Sequence, residues 1–106
     1  MNIEDFTRGW IVGDFAPALV QTKDVEIGIL DLPYGHKGDG HIHKLHVEHN
    51  LILSGTAKVK GELFFDGDIF TYYPGEKSDV EFFEDTRLLV IKTPATKEDK
   101  HYEPTN

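Results

Sequence analysis

Six histidines occur in 106 residues, and five of them, His36, His41, His43, His46 and His49, fall within fourteen positions. Imidazole titrates near neutral pH and is the commonest protein metal ligand, so their spacing decides what they can do. In an extended strand, side chains two apart share a face, which puts His41 and His43 on one side. A bend from Lys44 to Val47 then brings Glu48, at the start of the next strand, beside them. Two imidazoles and one carboxylate on one wall of a cavity form a facial triad. Such a triad suits Fe(II) and related divalent ions and leaves positions open for substrate or oxygen. His-x-His by itself more often marks a histidine-rich surface strand, so the surrounding spacing has to decide.

The other histidines are placed by the same alternation. His49 follows Glu48 directly and is expected on the opposite face, exterior or at an interface. His46, in the bend, is expected at the surface, the less favoured alternative being that it swings in toward the other two. His36 and His101 read as ordinary loop and tail residues.

The elements that must position these groups are strands. Residues 25–32 alternate apolar with small or polar side chains, and residues 49–54, 68–73, 79–83 and 87–92 carry the β-branched and aromatic content of strands. Residues 57–65 read as a hairpin turning near Gly61. Turn residues separate the strands at Pro33-Tyr34-Gly35, Lys37-Gly38-Asp39-Gly40, Ser54-Gly55, Asp66-Gly67 and Pro74-Gly75. No segment shows a sustained helical period with caps. Many short strands at regular spacing predict an all-β sandwich or barrel. Residues 1–106 are expected to form one domain, with a polar tail over 96–106 that lies on the surface or frays.

Composition narrows the function. A net charge of −8, from 19 acidic and 11 basic residues, repels a phosphate backbone and argues against nucleic-acid binding. No apolar run is long enough to cross a bilayer. The opening MNIEDFTRGW lacks the basic-then-apolar order of a secretory signal, so no membrane association and a cytoplasmic location are expected. The absence of cysteine removes disulfides, thiolate metal sites and cysteine nucleophiles.

With these residues in view, the sequence resembles the cupin superfamily. The first cupin motif runs Gly, five residues, His-x-His, three or four residues, Glu, six residues, Gly; here Gly35, His41, His43, Glu48 and Gly55 stand at those spacings. The second begins with Gly-Asp and passes through a short apolar strand to a Pro-Gly turn and a last histidine. This chain has Gly67-Asp68, then Ile69 to Tyr73, Pro74-Gly75 and, where that histidine belongs, Ser78. The resemblance implies an all-β cupin double-stranded β-helix, a jelly-roll barrel, with a divalent metal (Fe, Mn, Ni or Zn) held by His41, His43 and Glu48. A serine hydroxyl is a poor ligand for such an ion, so the resemblance carries over three ligands and not four. A narrower likeness is carried by Gly9-Trp10-Ile11-Val12-Gly13-Asp14-Phe15, Pro74-Gly75-Glu76 and Lys92-Thr93-Pro94. It is to small stand-alone cupins associated with nucleotide-sugar and surface-polysaccharide synthesis, which also tend to lack the last histidine.

Phe70, Tyr72 and Ser78 are the expected substrate-binding residues, because the second motif walls the cavity of that fold; Trp10, Phe15, Phe64, Phe65, Phe82 and Phe83 are expected to pack the core. A homodimer is expected, since a barrel this small hides an edge or an apolar face by pairing. Two functions follow. One is a metal-binding cupin that binds or transforms a small polar metabolite, such as a sugar derivative. The other is a metal-free sugar- or ligand-binding cupin, or an epimerase-like isomerase in which a histidine serves as base. The sequence does not decide whether catalysis occurs.

Overall fold

A computed structural model describes residues 1–95 and the backbone of Lys100 and His101. The expected tail, residues 96–106, otherwise lies outside the described residues. A single turn of 3-10 helix, Ile3–Asp5, is capped by Asn2. It precedes β1 (Trp10–Gly13), β2 (Val20–Gln21), β3 (Glu26–Leu32), β4 (Ile42–His43), β5 (Val47–Ser54), β6 (Thr56–Val59), β7 (Glu62–Phe65), β8 (Ile69–Tyr72), β9 (Glu81–Phe82), β10 (Thr86–Thr93) and β11 (Lys100–His101). Among the described residues no helix is long and apolar enough to cross a membrane.

One sheet has six strands in the order β2-β1-β3-β10-β5-β8, and a second has three in the order β7-β6-β9. Strands β11 and β4 form a separate two-stranded ladder, with Lys100 opposite His43 and His101 opposite Ile42. The sheets face each other across a core of Ile52, Phe70, Tyr72, Leu88 and Val90 from the six-stranded sheet and Ala57, Val59 and Phe82 from the other. The strand spacing predicted an all-β sandwich or barrel, and the arrangement is the double-stranded β-helix that the resemblance implied. Burying these side chains supplies the driving force, at roughly 1.5–3 kcal/mol for each large one.

The period-two pattern explains which side chains reach the interior. On β5, Glu48, Asn50 and Ile52 face inward and His49 outward; on β10, Leu88, Val90 and Lys92 do the same. The expected hairpin turns at Lys60 and Gly61, both at positive φ (52° and 81°), as a two-residue turn matched to the twist of β6 and β7 requires. Lys60 also clamps the loop between β8 and β9. Its N–H donates to Asp79 (3.0 Å), its ammonium pairs with Glu76, and it lies 5.5 Å from the Tyr72 ring centre. That pairing, with the N–H of Tyr73, holds the half-buried Glu76 carboxyl below its ordinary range.

Two expectations are adjusted. The strand expected over 79–83 shrinks to Glu81–Phe82, because Ser78 to Val80 instead bond to the loop before β4, through Gly38 N–H to Val80 O (2.7 Å) and Gly40 N–H to Ser78 O (3.1 Å). Strand β1 and its parallel partner β2 were not expected; they extend the large sheet beyond β3.

Candidate metal centre

Strand β4 holds His43, and the segment leading into it holds His41. Main-chain bonds from Ser78 N–H to His41 O (2.9 Å) and from Gly75 N–H to His43 O (2.8 Å) strap this short extended piece to the loop after β8. Gly38 makes the close approach possible: a Cβ there would lie 2.6 Å from Ser78 Oγ and 2.9 Å from its carbonyl oxygen. Alternation then turns both imidazoles inward, and their Nε2 atoms lie 3.0 Å apart.

Glu48, on β5, stands beside them, with its Oε1 3.8 Å from His43 Nε2 and 3.6 Å from Lys92 Nζ. Its other oxygen accepts from Asn50 Nδ2 at 3.4 Å. His41 Nδ1 donates to Asp39 Oδ1 at 2.5 Å, because a carboxylate can only accept. In the neutral ring this leaves the Nε2 of His41 without a proton, so the 3.0 Å contact is a single N–H···N bond given by His43. One proton sits where two nitrogen lone pairs could instead share an ion.

The two imidazoles fit a divalent metal on their chemistry and their spacing. Two ring nitrogens bound at about 2.1 Å and at right angles to each other are about 3 Å apart. The Asp39 contact to His41 is the outer-shell bond that orients a ligating imidazole. Among the described residues no three His, Asp or Glu side chains are already arranged around one ion. Glu48 stands off because its carboxylate is shared between His43 and Lys92.

The cavity that these groups line has a volume of about 630 Å³, within the range of about 300–1,000 Å³ usual for small-molecule sites. Ser78 is among its lining residues, while Phe70 and Tyr72 are not. These two are a correction. They sit opposite Asn50 and Glu48 and face inward, but their rings are taken up by the core. Phe70 packs on Phe64 (5.6 Å) and Tyr72 (6.0 Å), and the Tyr72 hydroxyl donates to Asp79 at 2.6 Å. Burial above all, reinforced by the bond to Asp79, pushes the Tyr72 hydroxyl well above the ordinary phenol range.

His46 is a second correction. It is not at the surface: it is 3% exposed, lines the cavity, and has its ring centre 4.3 Å from that of His43, the two rings inclined by 54°. His49 is on the outer face as expected, bonded to Thr71 at 2.8 Å. Trp10, Phe15 and Phe82, expected only in the core, line the cavity, as does the loop residue His36. Lys92 was not expected there. Its position in the Leu88, Val90, Lys92 alternation was the available signal. Its ammonium lies 4.9 Å from the centre of the Trp10 ring, and Gly28 makes room for that indole, since a Cβ there would stand 2.5 Å from it.

No family model and no curated protein matches the sequence. Solved structures do. KdgF from Halomonas sp. is 21% identical, with a TM-score of 0.65 over 73% of this chain and 76% of that one. An RmlC-like cupin family protein with a double-stranded β-helix fold from Methanocaldococcus jannaschii is 21% identical, with a TM-score of 0.60 over 70% and 73%. The bacterial pirin YhhW from Escherichia coli, in complex with nickel(II), is 12% identical, with a TM-score of 0.65 over 83% of this chain and 39% of that one.

Proposed function

On this small cupin fold, we propose a divalent-metal site, held by His41, His43 and Glu48, that binds or transforms a small polar metabolite such as a sugar derivative. The observation that carries the reading is the pair of inward Nε2 atoms 3.0 Å apart with a carboxylate beside them. It is supported by the nickel(II) bound to a neighbour of the same fold. A bound ion would supply Lewis-acid or oxygen-activating chemistry. The chain's own residues do the rest. Asp39 fixes the ring of His41, Asn50 donates to Glu48, and Trp10 and Phe82 give the cavity apolar walls that limit water. The mixture of aromatic walls and a few convergent polar groups suits a small metabolite.

Protein purified without a polyhistidine tag tests this. Stoichiometric Fe, Mn, Ni or Zn, or a rise in melting temperature on adding one of them, is expected. Both effects should vanish in the H41A/H43A double variant. Wild-type protein that carries no metal and gains no stability from any of the four ions would overturn the reading.

One observation favours a metal-free second reading: Lys92 already offers Glu48 a positive charge at 3.6 Å. In that reading the cavity binds its ligand without an ion, or His41 or His43 serves as base. Nucleotide-sugars would then raise the melting temperature where metals do not.

A further inference from the structure

Ser78 stands where a fourth ligand would come from, yet its chemistry and its packing both count against it. A hydroxyl is a poor donor to a first-row ion, and this one is packed against Gly38, too close for even a methyl group there. We propose that His46 supplies the missing donor, so that the centre is His41, His43, His46 and Glu48, with Ser78 left to strap the loops. This rests on the metal reading above and adds a residue to it.

Three observations carry it. First, His46 is an imidazole 3% exposed on the wall of the same cavity, from the bend directly between His43 and Glu48. Second, its Nδ1 lies 3.1 Å from the carbonyl oxygen of Pro94. A carbonyl only accepts, so the proton is on Nδ1 and the lone pair of the neutral ring is on Nε2. A backbone carbonyl that fixes the tautomer of an imidazole is the usual outer-shell partner of a ligating histidine.

Third, the ring spacing is right. An ion about 2.1 Å from a ring nitrogen lies about 3.2 Å from the ring centre, so two rings bound at right angles have centres about 4.5 Å apart. The observed separations are 4.6 Å for His41 and His43 and 4.3 Å for His43 and His46. The second pair is spaced like the first.

The test counts ligands in the intact protein. Each imidazole bound to Co(II) gives one hyperfine-shifted, exchangeable N–H proton resonance. Three such resonances are expected from the wild type, and three from H49Q, which alters the outer face. Two are expected from H46Q, together with a Co(II) affinity lowered by at least about tenfold. Two resonances in the wild type, or an H46Q affinity within about twofold of it, would overturn the assignment of His46 and leave the metal reading standing. If H46Q does not fold, the wild-type count alone decides. Wild-type protein that binds no Co(II) overturns both.

Discussion

Lys92 Nζ lies 3.6 Å from Glu48 Oε1, on the inner face of the large sheet, with both side chains less than a fifth exposed. In register, Lys92 is opposite Glu48 on β5 and opposite Glu26 on β3, so it sits between two carboxylates. A lysine pointing into a barrel needs such partners, because an unpaired buried charge is strongly unfavourable. The same ammonium competes with any ion for Glu48. Lys92→Met is therefore expected to act in opposite directions on two measurements. The metal-free protein should lose about 1–3 kcal/mol in urea unfolding, since Glu48 is left without its cation. Metal affinity by calorimetry should rise by about fivefold or more. Unchanged affinity would show that Lys92 does not contend for Glu48.

Asp39 acts from the other end of the site. Its carboxylate accepts from both the main-chain N–H (3.1 Å) and the Nδ1 (2.5 Å) of His41, fixing the backbone and the ring together. Asp39→Asn keeps the shape but offers an uncharged acceptor, so His41 becomes a weaker and less firmly oriented donor. Metal affinity is expected to fall about 10- to 100-fold with little change in unfolding free energy, because Asp39 is exposed. An equal loss of stability and affinity would mean that Asp39 only holds the loop.

These two residues show what the sequence exposes and what it hides. Strands β3, β5, β8 and β10 are legible because one face of each is buried, which imposes period two on the residues themselves. His41, His43 and Glu48 are legible for the same reason: alternation and one short bend fix their side. Lys92 was equally readable from Leu88 and Val90, but a charged residue at a strand end is easily assigned to solvent. His46 was not readable, since the direction of a side chain in a bend depends on dihedrals that no periodicity records. Phe70 and Tyr72 fail differently. Their inward face is set by pairing with β5, whereas their rings are directed by Phe64 and Asp79, brought close only by the folded chain.

Tyr72 makes a prediction for alkaline pH. Burial, with the bond to Asp79, raises its pKa in the folded protein above that of the unfolded chain. The neutral phenol is thus the stabilised form. Its contribution is fully present below pH about 10, where unfolded tyrosine begins to ionise, and is lost as pH rises toward the folded value. In that window the wild type should lose up to about 1.4 kcal/mol per pH unit more than Tyr72→Phe. Urea midpoints for the two proteins between pH 9 and 11 measure the difference. Parallel curves would show that the Tyr72 hydroxyl ionises as readily in the fold as outside it. Metal affinity near neutral pH should be the same in both, since Tyr72 lies outside the cavity lining.

Gly38 tests whether the strap before β4 sets the geometry of the site. A Cβ at this position would meet Ser78 Oγ at 2.6 Å and the Ser78 carbonyl oxygen at 2.9 Å. The first clash is with a side chain that can be removed, and the second with backbone that must move. Gly38→Ala is therefore expected to cost about 1–3 kcal/mol, the usual range for overpacking. G38A/S78G should recover only part of it, because the carbonyl stays where it is. Displacing Ser78 also pulls on its N–H bond to His41 O, so the Nε2 atoms of His41 and His43 should separate and the metal-induced rise in melting temperature should shrink. A G38A protein with lower stability but an undiminished metal shift would show that the strap supports the fold without placing the histidines.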